Sequence, residues 1–219
     1  WWPKNHVDLY PLAKANGAPT FQLWPFSLGE NPFGQNTIGK DYFALVMQGT
    51  QKSVIIAFVV GFIATAIGTV VGSAAGYFRG RVESVLMRAT DLVIIIPLLV
   101  LAAVLGRMVD GANIYILAGV LGLVVWTGMA RLVRGEVLSL REREFVHAAK
   151  AIGTSDWRII FRHILPNCIG TIVVNSTLLI ASAILLETAL SYLGFGVRSP
   201  ETSLGLLISE NQAAMGTRP

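Results

Sequence analysis

Few residues in this chain have types and spacings that could do chemistry, and each must be weighed against the segment that carries it. Residues 34–40 fit the G-x-x-x-x-G-K spacing of a phosphate loop. Asp41 then stands where a Ser or Thr would hold magnesium, and its carboxylate would repel phosphate, so the match is read as fortuitous. Asn175, Ser176 and Thr177 fit a glycosylation acceptor, yet they fall inside an apolar run where no transferase could reach them. Cys168 is the single cysteine, which excludes an internal disulfide and any paired-thiol metal or redox motif. His147 and His163 are sixteen residues apart and neither has a partner at metal-ligand spacing. No metal site is expected and no cofactor is implied; titration at a subunit contact is the alternative role for these imidazoles. Glu187 is the one acid deep in an otherwise uncharged stretch, which inside a bilayer marks a functional candidate. Counted from Pro166 it lies ~31 Å along a helix rising ~1.5 Å per residue, near the outer surface. It is read as a candidate outer-gate residue, or as a packed or hydrated group at that gate.

The elements that must position these residues are membrane spans. Hydrophobic residues make up 53% of the 219 and charged residues only 14%, and the mean hydropathy is +0.62, values that exclude an ordinary soluble domain. The expected fold class is all-α, a polytopic transmembrane helix bundle, because the apolar runs are long and lack the alternation of barrel strands. Four spans are expected, at about 53–78, 84–106, 111–130 and 167–194. Pro97 is expected to kink the second, and Arg88 and Asp91, three residues apart, can pair on one of its faces. Residues 1–52 are read as an extracytoplasmic N-terminal segment ending in a pre-span interfacial helix.

Lys and Arg counts orient the spans. Arg79, Arg81 and Arg88 follow the first, Arg131, Arg134, Arg141, Arg143, Lys150, Arg158 and Arg162 follow the third, and only Arg107 lies between the second and third. The positive-inside rule puts the long loop 134–166 in the cytoplasm and both ends of the chain outside. An outer N-terminus beginning at Trp1, with no secretory signal pattern, is expected to belong to a central fragment whose earlier span carries it across.

Two features of this frame suggest function. Gly68, Gly72, Gly76 and Gly80 recur at every fourth position and trace a bulk-free helix face, suited to close helix packing, to the wall of a pathway or to a subunit interface. In the long loop, Phe145, Ala149 and Ile152 share one helical register and Trp157, Ile160, Phe161 and Ile164 another, predicting two short amphipathic helices. Gly153 suits a left-handed cap ending the first, Thr154 or Ser155 a cap opening the second with Asp156 in its first turn, and Pro166 the start of the next span. One reading of the loop is a solvated charge run that enforces topology. The other is a docking surface, favoured because Trp157 and Phe161 would be exposed aromatics unless they packed on the bundle or filled a partner's groove.

Ala148-Ala149, then Gly153, then Leu165-Pro166 resemble the EAA loop of ATP-binding-cassette importer permeases. The stretches 131–145, 165–167, 191–196 and 34–41 are similar to the dipeptide/oligopeptide/nickel branch, and the resemblance covers about 31–211. His147 departs from the glutamate of the motif's name and His163 from its usual isoleucine. What the resemblance implies is a permease subunit without an ATPase motif of its own, in the bacterial cytoplasmic membrane. Its implied partners are a second permease subunit, two ABC ATPase subunits and an extracytoplasmic substrate-binding protein, within the lipid bilayer and without nucleic acid. Short peptides are the expected cargo, with nickel complexes or other small solutes as alternatives. His147, Ala148, Ala149, Gly153, Ser155, Asp156, Trp157, Phe161, Leu165 and Pro166 would form the ATPase-coupling surface. The resemblance also implies one further span on each side of the region seen here. A competing reading is an ion-coupled secondary transporter, which would need ionisable groups near the bilayer midplane.

Overall fold

In a computed structural model the chain is described at residues 3–12, 18–21, 29–36, 39–108, 114–198 and 201–212. Among these the regular elements are all helices, with one isolated bridge, Gln35 to Asp41, in the non-helical segment before the first. Thr37 and Ile38 of the glycine-rich stretch, and the expected start of the third span at Gly111, lie outside the described residues.

The first helix, α1, spans Tyr42–Phe78, with Asp41 as its N-cap accepting from the Phe43 amide. It begins eleven residues before the expected first span, so the turns anticipated as a separate interfacial helix are continuous with it. The helix α2 spans Gly80–Ile95 and α3 spans Leu98–Met108, and the two axes differ by 84°. A kinked single span was expected; a full break is found. Ile96, forced out of the helical region by the proline ring that follows, is extended at φ −78° and ψ 126°. Helix α4 spans Ile114–Arg141, eleven residues past the expected end at Ala130. Its charged extension is supported by α2, where Arg131 pairs with Asp91 and Arg134 with Glu83. Asp91 therefore reaches across to α4 and not to Arg88 on its own helix.

Helix α5 spans Glu144–Ala151 and α6 spans Asp156–Ile159. One wide π turn, Ile160–Ile164, joins α6 to α7, Leu165–Tyr192. Pro166 had been expected to start a new helix, but Asp156–Tyr192 runs as one helix of 37 residues. The wide turn lies just N-terminal to the proline, where its ring would otherwise collide with a carbonyl one turn back. The side-chain Nδ2 of Asn167 donates to the His163 carbonyl there. Helix α7 ends in a left-handed Gly194, φ +80°, with the Phe195 amide returning to the Leu190 carbonyl. Ser203 then caps α8, Leu204–Asn211.

Three of these helices are long and apolar enough to cross a membrane, or four if α2 and α3 together form one broken span. Packing of α1 on α4 is parallel and very close. A Cβ added at Gly68 would meet Met129 Cβ at 2.6 Å, one at Gly72 the Ala130 carbonyl oxygen at 2.5 Å, and one at Gly76 the Arg134 carbonyl oxygen at 2.8 Å. Gly80 does not extend this contact: it opens α2 at φ +56° and nothing lies within 4 Å of where its Cβ would be. Helix α7 packs antiparallel to α1, with Gly61 against Ile180 and Thr65 hydrogen-bonded to Ser176.

Candidate functional site

The C-terminal ends of α1 and α4 meet the N-terminal end of α6, and α5 closes the group. Val146 and Ala149 on α5 and Ile159, Ile160 and Ile164 on the following helix are buried against Tyr77, Val133 and Val137. The buried face of α5 thus differs from the expected one, because Phe145 is partly exposed and Ile152 is 83% exposed. The same holds for α6. Ile160 and Ile164 face inward, whereas Trp157 and Phe161 are 60% and 61% exposed, so the four do not form one face. The π turn accounts for the divergence: its extra residue rotates the side chains that follow out of a 3.6-residue register.

The exposed aromatics are held in place. Trp157 and Phe161 stack with ring centroids 6.0 Å apart, and Phe78 meets Trp157 edge-on at 5.9 Å. Beneath them the Tyr77 hydroxyl donates to Asp156 Oδ1 at 2.6 Å. Arg141 donates to the Tyr77 carbonyl oxygen, and the Lys150 ammonium lies 5.0 Å from the Tyr77 ring centre. Tyr77 therefore ties α1, α4, α5 and α6 into one elbow. Between α5 and α6, Gly153 adopts φ +78° and Ser155 has the extended backbone of an N-cap, without a capping hydrogen bond from its side chain. His147 is exposed, with Nε2 4.0 Å from Glu142 Oε2, and Glu142 also pairs with Arg79 at 3.0 Å. The elbow thus presents a carboxylate, Glu142, close to the position where the motif's glutamate is replaced by histidine. Ala148 and Lys150 accept from the amides that end α5, and Leu165 and Pro166 sit where the π turn gives way to α7.

At the opposite end Glu187 is fully buried, 0% exposed. Ser53 on α1 donates to one carboxylate oxygen at 2.8 Å and Ser191 to the other at 2.6 Å. Ser191 Oγ accepts from the Val197 amide, and Lys52 pairs with Glu201 at 3.1 Å nearby. The carboxylate is a clasp among α1, α7 and the segment leading to α8.

A bundle with three or four helices long and apolar enough to span a bilayer, with an exposed aromatic elbow at one end, is that of an integral membrane protein. Residues 68–217, more than half of the chain, match the family described as binding-protein-dependent transport system inner membrane component, and the chain belongs to that family. It is 41% identical over 187 residues to the oligopeptide transport system permease protein OppC of Mycobacterium tuberculosis, an alignment covering 85% of this chain and 64% of that protein. With the dipeptide transport system permease protein DppC of Lactococcus lactis subsp. cremoris it shares 37% over 214 residues, 97% of this chain and 59% of that protein. The chain thus spans somewhat less than two thirds of the length of these relatives. The fold is also that of a chain in inward-facing conformations of the MetNI methionine ABC transporter, at TM-score 0.61 and 18% identity, over 80% of this chain and 87% of that one.

Proposed function

We propose that this chain is the permease subunit of an ATP-driven importer that moves short peptides across a bacterial cytoplasmic membrane. The observation that carries the reading is the elbow. Trp157 and Phe161 are exposed, yet they are braced by Phe78, Tyr77 and Asp156, an arrangement that a merely solvated loop has no reason to maintain. A groove on a cytoplasmic ATPase subunit receives the two aromatics in the helix-in-groove manner, with Glu142, His147 and Gly153 around them. The excess of Arg and Lys at this end supports its cytoplasmic placement.

Because α6 continues into α7 through the π turn Ile160–Ile164 with no intervening loop, a push on Trp157 is passed along one helix towards Glu187. Closure of two ATPase subunits on ATP displaces a pair of elbows, and the bundle exchanges inward-facing for outward-facing packing to the extent that ATP favours the second state. A second permease subunit lines the other half of the route. An extracytoplasmic binding protein delivers cargo at the Glu187 end. The peptide relatives support the cargo class, since the proteins named above are oligopeptide and dipeptide permeases.

Uptake of labelled dipeptide into vesicles containing the assembled transporter tests this reading, with ATP compared against a proton or sodium gradient. ATP-dependent, gradient-independent uptake is expected. Uptake driven by a gradient with no ATPase present would establish the secondary-carrier alternative.

A further inference from the structure

We propose that the open groove bordered by α3, α4 and α7 receives an apolar side chain of the peptide in transit, while Asn175 and Ser182 hydrogen-bond the peptide's backbone amides. The inference rests on the reading of the cargo as peptide and assigns a contact within this one subunit. The groove measures about 330 Å³ and its walls include Leu98, Val125, Leu132 and Leu178. Leu98 is the first residue of α3, brought there by the 84° break after Ile95. No lining residue is charged; Asn175 and Ser182 supply the polar side chains, both from α7.

Depth and chemistry both favour a passing amide as the guest. Asn175 lies ten residues along α7 from Leu165, ~15 Å at ~1.5 Å per residue, half of a ~30 Å hydrocarbon core. A primary amide facing lipid at that depth would be costly, so it belongs beside a water-filled or ligand-bearing space. Each side chain makes one bond to its own helix, Asn175 Nδ2 to the Thr171 carbonyl and Ser182 Oγ to the Leu178 carbonyl. That leaves the Asn175 carbonyl oxygen and the Ser182 lone pairs as acceptors for N–H donors, and a peptide backbone offers these regardless of its sequence. Leucine and valine walls accept side chains of similar character and offer no counter-ion to a charged one.

Gly128 provides the test. It lines the groove, and a Cβ placed on it meets nothing within 4 Å, so a larger side chain would grow into the groove without disturbing the helix contacts. The complete transporter, with its binding protein, is reconstituted in proteoliposomes, and ATP-driven uptake of trileucine and triglycine is compared for wild type, Gly128→Ala and Gly128→Leu. The same binding protein serves all three, so a change in the ratio of the two peptides reports on the permease. Gly128→Leu is expected to lower the trileucine-to-triglycine ratio about tenfold or more, with Gly128→Ala intermediate, because filling the pocket removes the gain from burying an apolar side chain. Asn175→Ala and Ser182→Ala are expected to slow both peptides alike, about threefold each, at an unchanged ratio.

An unchanged ratio in Gly128→Leu would overturn the proposal and leave the groove to a lipid tail. Loss of the second permease from the purified Gly128→Leu assembly would overturn it in favour of a partner helix. A wild type that takes up neither peptide with ATP would instead refute the function proposed above.

Discussion

Glu187 and Asp156 are acids whose hydrogen bonds join segments far apart in the sequence. Glu187 holds two serine hydroxyls in a site with no exposure to solvent. Removing the carboxylate by Glu187→Ala would strand Ser53 and Ser191 and open space beside them, a loss of about 1–3 kcal/mol. Thermal unfolding in detergent should show the drop, and Glu187→Gln, which retains one acceptor oxygen, should show a smaller one; equal stability in all three proteins would dismiss the clasp. At this scale the sequence revealed the outlier but not its setting. A lone acid in an apolar run is conspicuous, whereas Ser53, the partner from α1, is one serine of many and is chosen only when α1 and α7 pack antiparallel.

Among the elements, the glycine stripe on α1 and the glycine turn between α5 and α6 are constrained for different reasons. Gly72 lies against backbone of α4, which cannot move aside as a side chain could. Gly72→Leu should therefore force α1 and α4 apart at a cost of at least about 1–3 kcal/mol, visible as lower yield of folded protein and a lower melting temperature. Gly128→Leu on the groove wall serves as the tolerated control. Gly153 has open space around it and is constrained only by its φ of +78°, so Gly153→Val should strain the turn by about 1–2 kcal/mol without impeding insertion. Transport should fall severalfold while ATP hydrolysis persists, and Ala149→Trp, which crowds a buried position, should do the same. Transport at wild-type rate in both variants would remove the elbow from the coupling path.

Helix existence and the turn at Gly153 were legible because apolar run length and glycine placement are local properties. Boundaries were less so. The end of α4 depends on Asp91 and Glu83, supplied by another helix, and the break after Ile95 depends on whether neighbours support a kink at Pro97 or leave room for a bend. The face of the helix from Asp156 was misassigned since a π turn shifts a register that sequence periodicity assumes to be constant, and that of α5 because the helix ends at Ala151, before Ile152 can join its buried face. Trp157 and Phe161 were legible as aromatics in a charged loop, and they are exposed.

For the whole molecule, the arrangement reads as a lever. The exposed aromatics sit on one end of a 37-residue helix and the buried carboxylate near the other, with α1 and α4 locked together beside it. Asn175 and the groove beside it lie on the same helix, between the elbow and Glu187. Everything in this account depends on the elbow touching an ATP-hydrolysing partner. The most direct measurement is site-directed crosslinking of the assembled transporter in a Cys168→Ser background, with Trp157→Cys or Phe161→Cys and a short thiol-reactive photocrosslinker. The account predicts a covalent product with the ATPase subunit whose yield changes when ATP is bound. Crosslinking of both positions only to lipid, or to the extracytoplasmic binding protein, would contradict it.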